Sequence, residues 1–249
     1  MKAGKEGFRI LEQTKPYQRV LAYLKEGLLT GALVLGDPLP PERELAETLG
    51  ISRNSVREAI RQIEHMGFLR SSQGAGNFLC CDLQQNLQDS LEMLMILRRM
   101  DYRQLTDLRA GLEQEAAELA LARITDEQAR QLMQTAQRIP KEPLHTAAHL
   151  DKQFHDQIAE IAGNELILQI LKALSSTIDR FITNTRQRIL RDPNRASQLQ
   201  YAHEEIAQAF LEHDAVLLTL AIRHHFHVVR MHIDTMEQNG APPRLLKNA

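Results

Sequence analysis

One aspartate and three histidines in the second half of the chain have the residue types and spacing of a metal site. Asp151 and His155 are four residues apart, so on a helix both side chains leave the same face. His203 begins another predicted helix, and His225 lies on the last one. One carboxylate and three imidazoles suit Zn, Ni or Mn, among which the spacing does not choose. The alternative for the Asp-x3-His pair is an ordinary exposed helix face.

A basic helix face near the start of the chain is the second chemical signal. Arg53, Ser55 and Arg57 lie on the polar side of a predicted helix, close to its first turn. Recognition helices present such side chains to base edges in the major groove of double-stranded DNA. Arg43, on the preceding predicted helix, is placed to contact the flanking phosphates. The alternative is a solvated face that binds nothing.

Three predicted helices and a hairpin hold this basic face. The first helix starts near Tyr17, and the second ends at Gly50, which has the form of a C-terminal cap. Ser52 then has the side chain of an N-cap for the third helix, which Gly67 ends. The following run FLRSSQGAGNFLC predicts strand, glycine-rich turn and strand. Helix, helix, tight turn, helix and hairpin make a winged helix-turn-helix.

The remainder of the chain carries apolar residues at helical spacing to about Met236. Breaks in this pattern leave six or seven amphipathic helices, enough for an antiparallel all-α bundle. The predicted fold is therefore mainly α, with the hairpin as its β-structure. The predicted divisions are a DNA-binding domain at 10–80, a linker at 81–84, a helical effector-binding and dimerisation domain at 85–238, and a flexible tail at 239–249.

Composition limits the function classes. The 249 residues have a net charge of −2, which argues against a wholly cationic nucleic-acid binder. No apolar run reaches the roughly 18 residues of a membrane span, and the N-terminus lacks the apolar core of a secretion signal. Cys80 and Cys81 are adjacent, a poor geometry for a structural disulfide. We therefore expect a cytoplasmic protein that does not bind a membrane.

The run LPPERELAETLGISRNSVREAIRQIE from Leu39 to Glu64, followed by Gly67 and by Gly74-Ala75-Gly76, closely resembles the DNA-binding domain of GntR-family bacterial transcription regulators. The resemblance implies that two copies of the chain bind a short palindromic operator. It also implies which residues contact that operator, namely Arg43, Arg53 and Arg57, with Ser55 and Gly74 assisting. Gln73 departs from the basic residue that family members often carry at the wing tip.

Residues 85–238 are similar to FCD, the all-helical ligand-binding domain of the FadR subfamily. The resemblance rests on five short patterns: Leu108-Arg109 with Leu112-Glu113, Asp151-x2-Phe154-His155, Gly163-Asn164, His203-x2-Ile206-x2-Ala209, and Asp214 with Ala221 before His225. In many members an aspartate and three histidines at these places bind a divalent metal. The resemblance therefore assigns that role to Asp151, His155, His203 and His225. His213 stands where the family commonly has glycine.

Arg109 is the candidate for binding an effector, which in this family is usually a small organic acid. Its planar guanidinium suits a carboxylate, whose other end would fill an open position on the metal. Arg186 is a second, weaker candidate. The alternative for Arg109 is a salt bridge with Glu113, four residues further along the helix.

The main hypothesis is a homodimeric transcription regulator, and not an enzyme, that acts as a repressor and responds to a small carboxylate. A rival is a DNA-tethered metal-dependent hydrolase, for which Glu160 or Glu204 would have to act as the general base. A third hypothesis is a regulator without metal that senses an acyl chain, and the complete set of four ligands argues against it.

Overall fold

A computed structural model describes residues 15–174 and 193–238 of the chain. Contacts divide the chain into two compact units, Met1–Asn86 and Leu87–Ala249. The described residues are mostly α-helical, with a single two-stranded sheet among them, which confirms the predicted fold class. No helix within these ranges is long and apolar enough to cross a membrane.

The first unit is a winged helix-turn-helix. Its elements between Pro16 and Leu79 are, in chain order, α1 (Pro16–Thr30), α2 (Glu42–Leu49), α3 (Arg53–His65), β1 (Leu69–Ser72) and β2 (Gly76–Leu79). Residues from all five of these elements share one apolar core. Because α1 and α2 pack against α3 through this core, the polar side of α3 faces solvent.

Two helix caps fix the tight turn between α2 and α3. Gly50 ends α2 with a φ of 63°, the left-handed conformation that glycine adopts without strain. The side-chain oxygen of Ser52 then accepts the backbone N–H of Ser55 at 3.0 Å, as expected for an N-cap. These two caps therefore allow α3 to begin directly after the short connection from α2.

The wing is an antiparallel hairpin with its tip in solvent. Leu69 lies opposite Leu79, and Ser72 lies opposite Gly76. Gly74 at the tip is exposed and has a φ of 77°. A side chain there would be strained by the backbone conformation, although the space around the residue is open.

Gly67 joins α3 to the wing, and a side chain at this position is excluded more strictly than at Gly74. The φ of Gly67 is 81°, and a Cβ on this residue would overlap the backbone carbonyl oxygen of Asp82. The backbone N–H of Asp82 donates to the Gly67 carbonyl at 2.8 Å, which holds the two segments together. Only glycine fits this crossing.

The second unit is a set of packed helices. Its described helices are α4 (Gln84–Arg98), which starts before the division, α5 (Tyr102–Leu121), α6 (Asp126–Arg138), α7 (Leu144–Ala162), α8 (described over residues 165–174), α9 (Pro193–Leu211) and α10 (Ala215–Gln238), with a 3-10 turn at Ile139–Lys141. Consecutive helices such as α6 with α7 and α9 with α10 pack on each other.

Three phenylalanines from different helices form the centre of this unit. Phe154 of α7, Phe210 of α9 and Phe226 of α10 are fully or almost fully buried. Small alanines around them let α5, α7, α9 and α10 approach closely. Since α9 begins at Pro193, His203 lies in the middle of this helix, and its predicted place at a helix start is wrong.

Replacement of Gly67 by Ala should destabilise the first unit much more than the same change at Gly31. Both glycines have a left-handed φ, which costs alanine about 1–2 kcal/mol. Only at Gly67 does the new methyl group also meet a neighbouring backbone, since nothing lies within 4 Å at Gly31. Hydrogen exchange of amides in the first unit measures the two effects. Equal loss of protection in the two variants would contradict this packing.

Candidate metal centre and DNA-reading face

The predicted DNA contacts of α2 and α3 lie at the surface of the first unit. Arg53 and Arg57 are exposed on α3, and the half-buried hydroxyl of Ser55 lies 2.9 Å from that of Ser52. Arg43 on α2 is 76% exposed, and its Nε is 3.8 Å from Glu47. These cationic groups are accessible to an anionic polymer, as major-groove recognition requires.

Arg57 is held by a partner on the preceding helix. Its Nε donates to both carboxylate oxygens of Glu42 at 3.1 Å, and its Nη2 donates to Oε2 at 2.8 Å. The hydrogen bond from Arg57 lowers the pKa of the Glu42 carboxyl. Because Glu42 lies on α2, the pair ties the two helices of the DNA-reading motif together.

In the second unit, three histidines from different helices converge in the core. The ligand nitrogens of His155 on α7, His203 on α9 and His225 on α10 all lie within 4.8 Å of one another. Nε2 of His203 is 3.3 Å from Nε2 of His155 and 3.2 Å from Oδ1 of Asp151. All four side chains are buried. The structure therefore brings together the four residues that the sequence nominated as ligands.

These four residues fit a divalent metal. Ligand atoms bound to one ion at about 2.1 Å lie roughly 3.0–3.4 Å apart, and the two shortest separations fall in this range. Nδ1 of His225 is buried without a hydrogen-bond partner among the described residues. Burial lowers the pKa of His225 well below its ordinary value, and His203 and His155 lower it further. A neutral imidazole with an available lone pair is the form that binds metal.

A buried ion pair from α5 adjoins the histidines. Oε1 of Glu113 accepts a hydrogen bond from Nε of Arg109 at 2.9 Å and a second one from Nη2. Oε2 of the same carboxylate lies 2.7 Å from Nδ1 of His155. Burial alone would raise the pKa of Glu113, but Arg109 and His155 hold it well below its usual range. A charged carboxylate thus lies between the guanidinium and a candidate ligand.

The salt bridge that the sequence offered as an alternative role for Arg109 is present. Arg109 is buried, and its guanidinium carbon also lies 5.9 Å from the centre of the Phe226 ring. The contact between Glu113 and His155 was not predicted, because it joins helices that are distant in sequence. Arg186, the other effector candidate, lies outside the described residues.

The two carboxylates considered as general bases have other contacts. Glu160 is exposed on α7 and pairs with Nζ of Lys172 at 3.0 Å. Glu204 on α9 accepts a hydrogen bond from Nε2 of Gln200 at 2.7 Å. These two contacts are links between side chains and include none of the four candidate ligands.

Two family descriptions match the chain. The FCD domain matches residues 104–228, and the gntR family of bacterial regulatory proteins matches residues 16–79. An Escherichia coli K12 protein assigned as the regulatory protein of the L-lactate dehydrogenase operon is 29% identical over 214 residues, covering 84% of this chain and 83% of that protein. The Glc operon transcriptional activator of the same strain is 27% identical over 238 residues, covering 92% and 93%.

A solved structure is also similar to the chain. Streptococcus agalactiae GntR has a TM-score of 0.57 and 26% sequence identity, and the match covers 89% of this chain and 99% of that one. The likeness therefore extends over both units and is not confined to the winged helix-turn-helix.

The metal-free protein should lose stability as the pH falls below about 6.5. His225 has a depressed pKa when folded, so the unfolded chain takes up its proton first, and folding becomes less favourable between pH 6.5 and the folded pKa. The unfolding constant should rise by up to tenfold per pH unit in this window. Urea unfolding in the presence of EDTA, followed by circular dichroism from pH 5 to 8, measures this effect.

A pair of variants isolates His225 in that experiment. His225→Phe should flatten the dependence between pH 5 and 6.5, whereas His227→Phe, at an exposed position two residues further on α10, should leave it unchanged. A His225→Phe profile as steep as the wild-type profile would contradict the assignment.

Proposed function

Because this chain belongs to the FCD-domain regulators of the gntR family, we propose that a small carboxylate bound at a metal centre in its second unit controls its affinity for DNA. Regulation of transcription through DNA binding follows from the two matched families and from the relatives that share both. Those relatives are regulators and not enzymes, so the hydrolase alternative is wrong. The observation that carries the proposal is the convergence of three buried histidines beside Asp151.

At the DNA, α3 of each copy reads one half of a palindromic operator. Arg53 and Arg57 contact base edges in the major groove, with Ser55 assisting, because all three lie at the start of the recognition helix. Arg43 contacts flanking phosphate, and the glycine at the wing tip, Gly74, lets the backbone approach the minor groove. The protein acts in the cytoplasm as a homodimer. It is a repressor, which blocks transcription when it is bound to its operator.

In the second unit, Asp151, His155, His203 and His225 hold a divalent metal such as Zn, Ni or Mn. When bound, the metal supplies a Lewis-acidic cation that attracts a carboxylate or hydroxyl oxygen of the effector. The chain's own contribution is to hold three imidazoles and a carboxylate close together in the buried core.

Arg109 binds the effector's carboxylate in this proposal. Its bonds to Glu113 use Nε and Nη2, and a guanidinium has further N–H donors. One relative is assigned to the L-lactate dehydrogenase operon, and L-lactate is a small 2-hydroxycarboxylate of the class that a metal and an arginine recognise together. The effector binds one arrangement of the dimer more tightly than the other and so favours that arrangement. The resulting change in operator affinity is limited by the difference between the effector's affinities for the two arrangements.

Substitution of Arg53 by Ala should weaken specific DNA binding by about 1–3 kcal/mol. The probe is a double-stranded site that the wild-type protein selects from a random pool, with affinity measured by fluorescence anisotropy at fixed salt. Arg130→Ala, an exposed arginine of α6 that pairs with Glu127, is the matched control and should bind like wild type. Unchanged affinity of the Arg53 variant would refute the recognition-helix assignment.

L-lactate, tested together with Zn²⁺, should raise the melting temperature of the wild-type protein, and EDTA should abolish the rise. At a concentration 100 times the Kd, the stabilisation is about 2.7 kcal/mol. The double variant His155→Ala/His203→Ala should lose both the bound zinc and the response, whereas His149→Ala/His227→Ala, at two exposed positions, should keep them. Full zinc content in the first double variant would refute the metal centre. If lactate has no effect, the same assay with other short mono-, di- and tricarboxylates identifies the ligand.

A further inference from the structure

We propose that Glu113 is a positioning residue for the metal centre: it fixes the orientation and tautomer of His155 while its other oxygen holds Arg109. The inference rests on the proposed metal site and names a group that neither the ligand set nor the effector contact includes. The geometry behind it is a single buried carboxylate with one oxygen toward each partner.

The two oxygens of Glu113 have different neighbours on different helices. Oε1 accepts both hydrogen bonds from Arg109, which lies on the same helix α5. Oε2 lies 2.7 Å from Nδ1 of His155 on α7. A salt bridge within α5 needs only the first oxygen, so the second contact, between helices, is an additional function of this side chain.

The contact decides which nitrogen of His155 carries a proton. A carboxylate held by a guanidinium is an acceptor, so the short contact is favourable only when Nδ1 of His155 donates its N–H to Oε2. A neutral imidazole has one N–H, and Nε2 is then left with a lone pair. Nε2 is the atom that lies 3.3 Å from Nε2 of His203, inside the candidate ligand set. Carboxylates that orient metal-binding histidines in this way strengthen metal affinity.

Glutamine cannot replace Glu113 in both contacts. Its side chain offers one acceptor oxygen and one NH2 donor. If the oxygen stays with Arg109, the NH2 group faces Nδ1 of His155 and favours the tautomer with its proton on Nε2. That proton would occupy the position from which His155 binds metal.

The test measures Zn²⁺ affinity by competition with a chromophoric chelator, and the tautomer of His155 by NMR of the metal-free, ¹⁵N-histidine-labelled protein. Glu113→Gln should bind zinc 10- to 100-fold more weakly than wild type, and its His155 should shift from the Nδ1–H to the Nε2–H form. Glu115→Gln, an exposed position on the same helix, is the control and should match wild type in both measurements.

A second pair of variants guards against misfolding, because Glu113→Gln leaves Arg109 buried without its anion. Arg109→Met/Glu113→Gln and Arg109→Met/Glu113→Met both remove the buried ion pair. In the first, the glutamine oxygen is free to accept the Nδ1–H of His155, whereas the second offers no acceptor. The first should therefore bind zinc at least tenfold more tightly than the second and keep the Nδ1–H tautomer.

The outcomes separate the two proposals. If wild type binds zinc at His155 and the two double variants bind it equally, the role of Glu113 is overturned and the metal centre stands. An unchanged tautomer in Glu113→Gln, together with wild-type affinity, overturns it as well. If the wild-type protein takes up none of Zn²⁺, Ni²⁺ and Mn²⁺, the metal centre itself is refuted, and the role of Glu113 falls with it.

Discussion

Polar and charged groups buried in an apolar helical core must be matched to one another, and this constraint organises the second unit. Removing a carboxylate or an imidazole from water is costly unless a hydrogen bond or an opposite charge compensates. Arg109, Glu113 and His155 form a row of close charged and polar contacts across α5 and α7. The histidines of α9 and α10 lie next to His155 at the end of this row. A cation bound there would offset the cost of burying their ring nitrogens.

In the first unit the arginines proposed to bind DNA are exposed instead of buried, because cationic groups that bind DNA must be accessible to it. Arg57 is exposed and is paired with Glu42 across the two helices of the motif. Such an exposed pair contributes little to stability, but it fixes the direction of the guanidinium before DNA arrives. In the proposed complex, DNA phosphates and bases would compete with Glu42 for Arg57, which would favour sites offering well-placed acceptors over the uniform phosphate backbone.

Local signals in the sequence were sufficient for most of the fold. The cap at Ser52, the glycine at position 50 and the hairpin run each act over a few residues, so their positions could be predicted directly. Asp151 and His155 could be placed on one face of a helix for the same reason. Contacts between helices could not be predicted in this way. The pairs Glu113 with His155 and Glu42 with Arg57 join residues far apart in sequence, and no periodicity marks them.

X-ray absorption spectroscopy of the zinc-loaded protein tests the central claim most directly, because it identifies the atoms that surround the metal. We expect nitrogen and oxygen neighbours at about 2.0–2.2 Å with the multiple-scattering signature of several imidazoles. A zinc shell containing sulfur at about 2.3 Å would instead indicate binding at Cys80 and Cys81, and a shell of oxygen alone would indicate surface carboxylates or water. Either result would contradict a metal centre built from the buried histidines.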